Sequence, residues 1–193
     1  MQGTGYTIEP LSPQTWSAFA GLVERHNGIF GGCWCTYFHP ECAERLPGAE
    51  GSRAMKQALV DAAQAHAALV MDGDEALAWA EFGTPDELPN IHHRKQYLAE
   101  ADLAPDYRIT CIFVDKRHRG EGLAKAALAG ALALIAAQGG GTVEGYPHEI
   151  GDKRPNNSFL YNGTRSMYEE AGFQHIRAKG MKNTVMRRTV EPA

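Results

Sequence analysis

The chain has 193 residues, 44% of them hydrophobic and 22% charged, with a formal net charge of −4, as expected of one soluble globular domain spanning 1–193. The acidic balance argues against a nucleic-acid binder, which needs a basic face for phosphate contacts, and no apolar stretch reaches the roughly 18 residues of a membrane span. Met1 to Tyr6 lack the charged and apolar regions of a secretory signal, so a cytoplasmic location is expected, with all four cysteines reduced.

In chain order, Tyr6 to Pro10 reads as a first strand. Ser12-Pro13 is an N-cap followed by proline at the first helical position, predicting a helix over Pro13 to His26 with Trp16, Phe19, Ala20 and Val23 on one face. An aromatic, cysteine-rich segment follows, from Ile29 to Cys42. A second helix is predicted over Ser52 to His66, with Met55, Leu59, Ala62 and Ala63 inward. Two β runs, Ala67 to Met71 and Ala76 to Phe82, are joined by Asp72-Gly73-Asp74, a hairpin signal.

Gly83 to Tyr107 is a polar insertion with a short helix over Lys95 to Ala101 and a solvated His92-His93 pair. Arg108 to Val114 is a fourth strand. An Ala/Leu helix over Gly122 to Gln138 is stopped by Gly139 to Gly141, and Thr142 to Tyr146 is a fifth strand broken by Pro147. A polar loop leads to a helix at Thr164. Gly172 reads as its left-handed C-terminal residue, and Phe173 to Arg177 and Thr184 to Val190 close the chain as strands.

The most informative stretch runs from Thr110 to Ala124: a β run, a basic turn, two glycines, and the start of a long helix. Backbone N–H groups at a helix N-terminus, with glycines that let the chain approach closely, make an anion site for a phosphate-bearing cofactor. A P-loop would need Lys-Ser/Thr after its last glycine, where Leu123-Ala124 stand. The dinucleotide pattern fits only in part, with Lys125 where its third glycine belongs. What fits is R-x-x-G-x-A, read as Arg119, Gly122 and Ala124. A second register starts at Arg117.

These residues resemble the pyrophosphate loop of the GNAT superfamily of acyl-CoA-dependent N-acetyltransferases. Ser166 to Phe173 is similar to that superfamily's late helix, which ends in Tyr-x-x-x-Gly-Phe. The resemblance implies an α/β (α+β) fold with a mixed, mostly antiparallel central sheet flanked by helices, and acetyl-CoA as co-substrate. It also implies a pyrophosphate cradle at Arg119, Gly120, Glu121, Gly122, Leu123 and Ala124. Backbone bonds to the pantetheine arm are implied from Ile112, Phe113 and Val114, where the fourth and fifth strands splay apart. Tyr168 stands where the family keeps a tyrosine that assists the departing thiolate. The family's simplest general base is a glutamate six residues before the position of Val114; Arg108 stands there and cannot act as a base. Glu81 and Glu144, the remaining strand carboxylates, are the base candidates, with His148 as a loop alternative whose pKa suits the task.

Cys33, Cys35, His39 and Cys42 form C-x-C-x3-H-x2-C, which could bind zinc, although structural sites space their cysteines more widely; no metal is expected. The interleaved aromatics fit a packed loop or the wall of a substrate pocket, which favours a small, partly apolar acceptor. The resulting expectation is an N-acetyltransferase acting on a primary amine of a small molecule, with no nucleic-acid or membrane partner and with a homodimer left open. A non-catalytic acyl-CoA-binding module and a zinc-binding protein remain as alternatives.

Overall fold

Residues 5–43, 48–149 and 161–193 are described by the computed structural model. Seven strands form one sheet in the order β1-β2-β3-β4-β5-β7-β6. They are β1 (Thr7–Pro10), β2 (His66–Asp72), β3 (Glu75–Gly83), β4 (Tyr107–Val114), β5 (Gly141–Gly145), β6 (Gln174–Lys179) and β7 (Asn183–Val190). The helices are α1 (Trp16–Glu24), α2 (Gly48–Asp61), α3 (Arg94–Ala99), α4 (Leu123–Ala137) and α5 (Arg165–Glu170). Neighbouring strands run antiparallel except β4 and β5, the mixed, mostly antiparallel sheet expected.

Two apolar layers sandwich this sheet. On one face α4 packs across β1 to β4. It lies so close that a Cβ on Gly130 would come within 2.7 Å of Ile8 Cγ2 and 3.2 Å of Ala68 Cβ, which explains a small residue in mid-helix. On the other face lie α1, α2, the 27–43 segment and α3, centred on Trp79, whose ring is 4.9 Å from those of both Phe19 and Phe113. Burial on both sides accounts for the unbroken apolar runs of β2 and β3. Among the described residues no helix is long and apolar enough to cross a membrane.

Most element boundaries shift by one or two residues, and the larger differences lie in the first two helices. α1 begins at Trp16, because Ser12 and Thr15 hold each other in a turn: the Ser12 amide donates to Thr15 Oγ1 (2.9 Å), which donates to the Pro10 carbonyl (2.7 Å). α2 begins one turn before Ser52 and ends at Asp61, followed by Ala63 at φ 55°, so His66 opens β2 instead of closing the helix. The inward face of α2 carries Lys56, not Met55 alone. The polar loop expected before Thr164 falls largely outside the described residues.

Two details shape the functional region. Parallel pairing of β4 with β5 stops after Ile109↔Gly145, so among the described residues 110–114 has no strand partner on that side. At this fork Tyr168, held by α5, wedges beneath β5: a Cβ on Gly145 would sit 2.1 Å from Tyr168 Cε1. α5 itself is capped by the Thr164 hydroxyl, which accepts from the Met167 amide (3.3 Å), and ends at Gly172 with φ 82°. Phe173 then turns back against the Tyr168 ring, 4.9 Å away.

Candidate active site

A cleft of about 790 Å³ opens where β4 and β5 part. Ile112, Phe113 and Val114 form one wall, the turn 116–125 one end, and Tyr161, Gly163, Thr164 and Met167 the opposite side. Of the residues expected to hold the cofactor, Ile112, Phe113, Val114, Arg119, Gly120, Gly122, Leu123 and Ala124 all line this cleft. Glu121 does not. Its carboxylate meets Tyr6 Oη at 3.3 Å and His118 Nδ1 at 3.1 Å.

The turn is shaped as an anion cradle. Gly120 and Gly122 have φ of 88° and 82°, and a Cβ on either would meet nothing within 4 Å, so both face open space. Helical bonding begins at Lys125, whose amide reaches the Gly122 carbonyl at 3.0 Å. Among the described residues the amides of 120–124 donate to no protein group, as the first turn of a helix leaves them. With the dipole of the 15-residue α4 behind them, they favour a phosphate.

Side-chain pairing separates the two registers left open by the sequence. Arg117 is bound to Asp115 (2.8 Å) and Glu75 (2.6 Å), whereas Arg119 lines the cleft and has no ion pair among the described residues. Asp115 is fully buried; burial alone would raise its carboxyl, but Arg117 outweighs this and holds it well below the usual range. The Ile112 amide is engaged by the Tyr161 carbonyl at 2.5 Å, so a group lying along β4 would meet that segment at its other polar atoms.

The three residues expected to be catalytic lie behind the cleft wall. Tyr168 is fully buried, and its hydroxyl, in the fork beside Gly145, has no hydrogen-bond partner in the described structure. Burial raises its pKa far above 10, keeping it a protonated donor. Glu81 is buried under the 27–43 segment. It accepts from Lys56 Nζ at 2.7 Å and Thr110 Oγ1 at 2.6 Å, with His39 Nε2 at 3.5 Å. Burial opposes ionisation there, yet the Lys56 charge and the His39 bond prevail and bring Glu81 to about 2. Glu144 accepts from Tyr97 Oη (2.6 Å), Tyr146 Oη (3.2 Å) and Arg187 (2.8 Å).

The loop alternative is placed differently. His148 is half-buried, its Nε2 has no partner, and its ring lies 5.5 Å from that of Tyr161 on the cleft wall. Burial lowers its pKa, and His92, Lys182 and Lys179 add to the effect, so the imidazole is neutral at neutral pH.

The aromatic segment forms the far end of the region. Tyr161 meets Phe30 (5.9 Å), Phe38 (6.4 Å) and His92 (5.9 Å), and His92 stacks on Tyr37 at 4.8 Å. His92, expected in a solvated loop, is thus a half-buried part of this wall, because the insertion folds back over the sheet through α3. The supporting segment is strained: Asn27, Ile29, Phe30, Trp34 and Cys35 all have positive φ. Lys56 ties it down by donating to the Cys35 carbonyl at 3.1 Å and meeting His39 Nε2 at 3.0 Å. His39 is therefore committed to Lys56 and Glu81, while the free thiol of Cys35 is hydrogen-bonded with that of Cys111 on β4. Among the described residues no three His, Cys, Asp or Glu side chains come together so as to hold a metal.

No protein-family profile and no curated protein matches the sequence. Solved structures do match in shape. One described as an acetyltransferase of the GNAT family from Desulfovibrio desulfuricans is 19% identical, with TM-score 0.53 over 96% of this chain and 99% of that one. The protein has the GNAT fold. The PaiA N-acetyltransferase of Thermoplasma acidophilum, in complex with coenzyme A, superposes with TM-score 0.54 at 12% identity, covering 95% and 98% of the two chains. The ribosomal-protein-S18-alanine N-acetyltransferase of Escherichia coli does so with 0.51 at 14%, covering 97% and 96%.

Proposed function

We propose that this protein is an N-acetyltransferase that moves an acetyl group from acetyl-CoA to a primary amine of a small molecule. What supports this above all is the cleft itself. It runs from a glycine cradle whose five amides are free among the described residues, along the part of β4 that β5 leaves, to a fork that holds a buried hydroxyl without a partner among the described residues. The cradle suits a pyrophosphate: a Cβ on Gly120 or Gly122 would fill space now open, and Arg119 is unpaired beside it. Acetyl-CoA supplies the activated thioester.

The residues divide the remaining work. His148 Nε2, neutral and unpartnered, is the general base that takes the proton from the attacking amine. Tyr168 donates a hydrogen bond to the departing thiolate; with its pKa raised it stabilises by donation rather than by giving up its proton. Glu81 and Glu144 support instead of titrating: one clamps the aromatic segment through Lys56, and the other orders Tyr97, Tyr146 and Arg187.

Acetyl-CoA calorimetry and free-thiol release over a panel of primary amines test this. Gly122→Val is expected to weaken acetyl-CoA by about 100-fold, because a β-branched residue resists φ of 82° and its side chain enters the cradle. Unchanged affinity in a folded variant removes the cradle. Tight binding with no thiol release from any amine makes the protein a CoA-binding module.

A further inference from the structure

The acceptor end of the cleft rests on a surplus of buried positive charge. Lys179, at the end of β6, is only 3% exposed and forms no ion pair among the described residues. Its ammonium donates to the His92 carbonyl and lies 4.8 Å from the Tyr146 ring centre. Arg108 and Arg177 approach the neighbouring Tyr97 ring at 5.3 and 5.1 Å, and Arg108 Nε and Arg177 Nη1 are buried without a hydrogen bond. Burial first, then these two guanidiniums, lower Lys179 to about 8 against the pull of Glu144.

The nearby carboxylates are committed elsewhere. Glu144 serves Arg187, Tyr97 and Tyr146. Glu100 is 3.6 Å from Arg177, and Glu149 is paired with Arg165 at 2.8 Å. Glu41 acts on His39 and is not among the charges that act on Lys179; its Oε2 is buried without a hydrogen bond among the described residues. The neighbours that act on His92 and His148 all disfavour the protonated ring, Lys179 and His93 on the first and His92, Lys182 and Lys179 on the second. A buried ammonium without a counter-ion is costly, so a charge that the described residues do not provide is called for here. Tyr37 (40% exposed) and Phe30 (48% exposed) at the rim add apolar surface turned to solvent.

We infer that the acceptor is an acidic amine: a small molecule with an apolar body that lies against the Tyr37, Phe38 and Tyr161 rings, and a carboxylate or phosphate that takes Lys179 as its counter-ion. This rests on the proposed acetyl transfer. An amine whose remainder is cationic would meet like charge at Lys179 and Lys182, which selects against it. An acid gains charge-assisted bonds from a donor already desolvated, while its amine is left to His148.

The test is thiol release from acetyl-CoA with acceptors matched in body: phenylalanine, its phosphonate analogue and its amide. One of the acids is expected to exceed the amide by about 10-fold or more in kcat/KM, and the better acid distinguishes carboxylate from phosphate. Lys179→Met keeps a long chain over Tyr146 and is expected to erase that preference, with KM for the acids rising to that of the amide. Should that variant fail to fold, Lys182→Gln on the exposed turn is expected to reduce the preference. An amide used as well as both acids overturns the inference and leaves acetyl transfer standing. If no acceptor releases thiol, binding of N-acetylphenylalanine and its amide to the CoA-loaded protein decides. Tighter binding of the acid by about 10-fold keeps the anion site while acetyl transfer falls, and equal binding removes the site as well.

Discussion

The proposed cofactor end of the cleft comes from one stretch of chain, residues 112–125, whereas the proposed acceptor end gathers Phe30 and Tyr161 of the cleft lining, with Tyr37, His92, His148 and Lys179 packed around them, from distant segments. The first works mainly through backbone: amides at a helix start, two glycines at positive φ, and a strand edge. The second works through side chains held in place by a strained segment and a buried Lys56–Glu81 pair. A backbone site tolerates changes in neighbouring side chains but not a Cβ in its cradle. A side-chain site depends on packing far from the substrate.

Variants at the acceptor end are expected to show the largest effects. His148→Ala should cut kcat by about 100- to 10,000-fold with acetyl-CoA affinity unchanged by calorimetry. In the parent, the acidic limb of kcat/KM should lie below pH 6.5, the ordinary histidine value, because burial and the cations around His148 favour its neutral form. A variant that keeps that limb places the base elsewhere.

Next comes the clamp. Glu81→Gln leaves the Lys56 ammonium buried without its counter-charge and should cost about 3–5 kcal/mol in stability, measured by denaturant unfolding, while the pH profile of the remaining folded enzyme keeps its shape. Since the Glu81 pKa is depressed to about 2, its contribution is complete above the ordinary value of 4.5 and is lost as pH falls from there towards 2. A flattened acidic limb with undiminished stability would instead make Glu81 the base.

Tyr168→Phe sharpens the comparison at the fork between the two ends. Removing the hydroxyl should slow turnover by about 10- to 1000-fold with little change in KM for acetyl-CoA. The same change should raise stability by about 1 kcal/mol, because the group removed is buried and unpartnered. A loss of stability would mean that the hydroxyl has a structural partner, and unaltered kcat would end its role with the thiolate.

The smallest effect concerns the two registers of the glycine turn. Arg119→Ala should weaken acetyl-CoA by about 5- to 10-fold, whereas Arg117→Ala, whose guanidinium is spent on Asp115 and Glu75, should leave that affinity nearly unchanged. The reverse order would restore the register that begins at Arg117.

The sequence was sufficient for features whose cause is local. Alternating and continuous apolar runs give the strands, glycines at 120, 122 and 172 mark positive φ, and Asp72-Gly73 sets a hairpin, because each is a preference of a few consecutive residues. The mixed, mostly antiparallel sheet and the parting of β4 from β5 were expected through the resemblance to the GNAT superfamily, whereas the strand order came from the structure. What only the tertiary structure decided is which polar side chains meet. Nothing in the spacing places Lys56 against Glu81, although a lysine among the apolar positions of α2 was a signal that could have been read. Nor does it bring His92 onto Tyr37 across 55 residues, or leave Lys179 buried beside two guanidiniums. Contacts of that kind depend on the summed geometry of every intervening element, so their energies are carried by the fold as a whole and not by any short stretch of it.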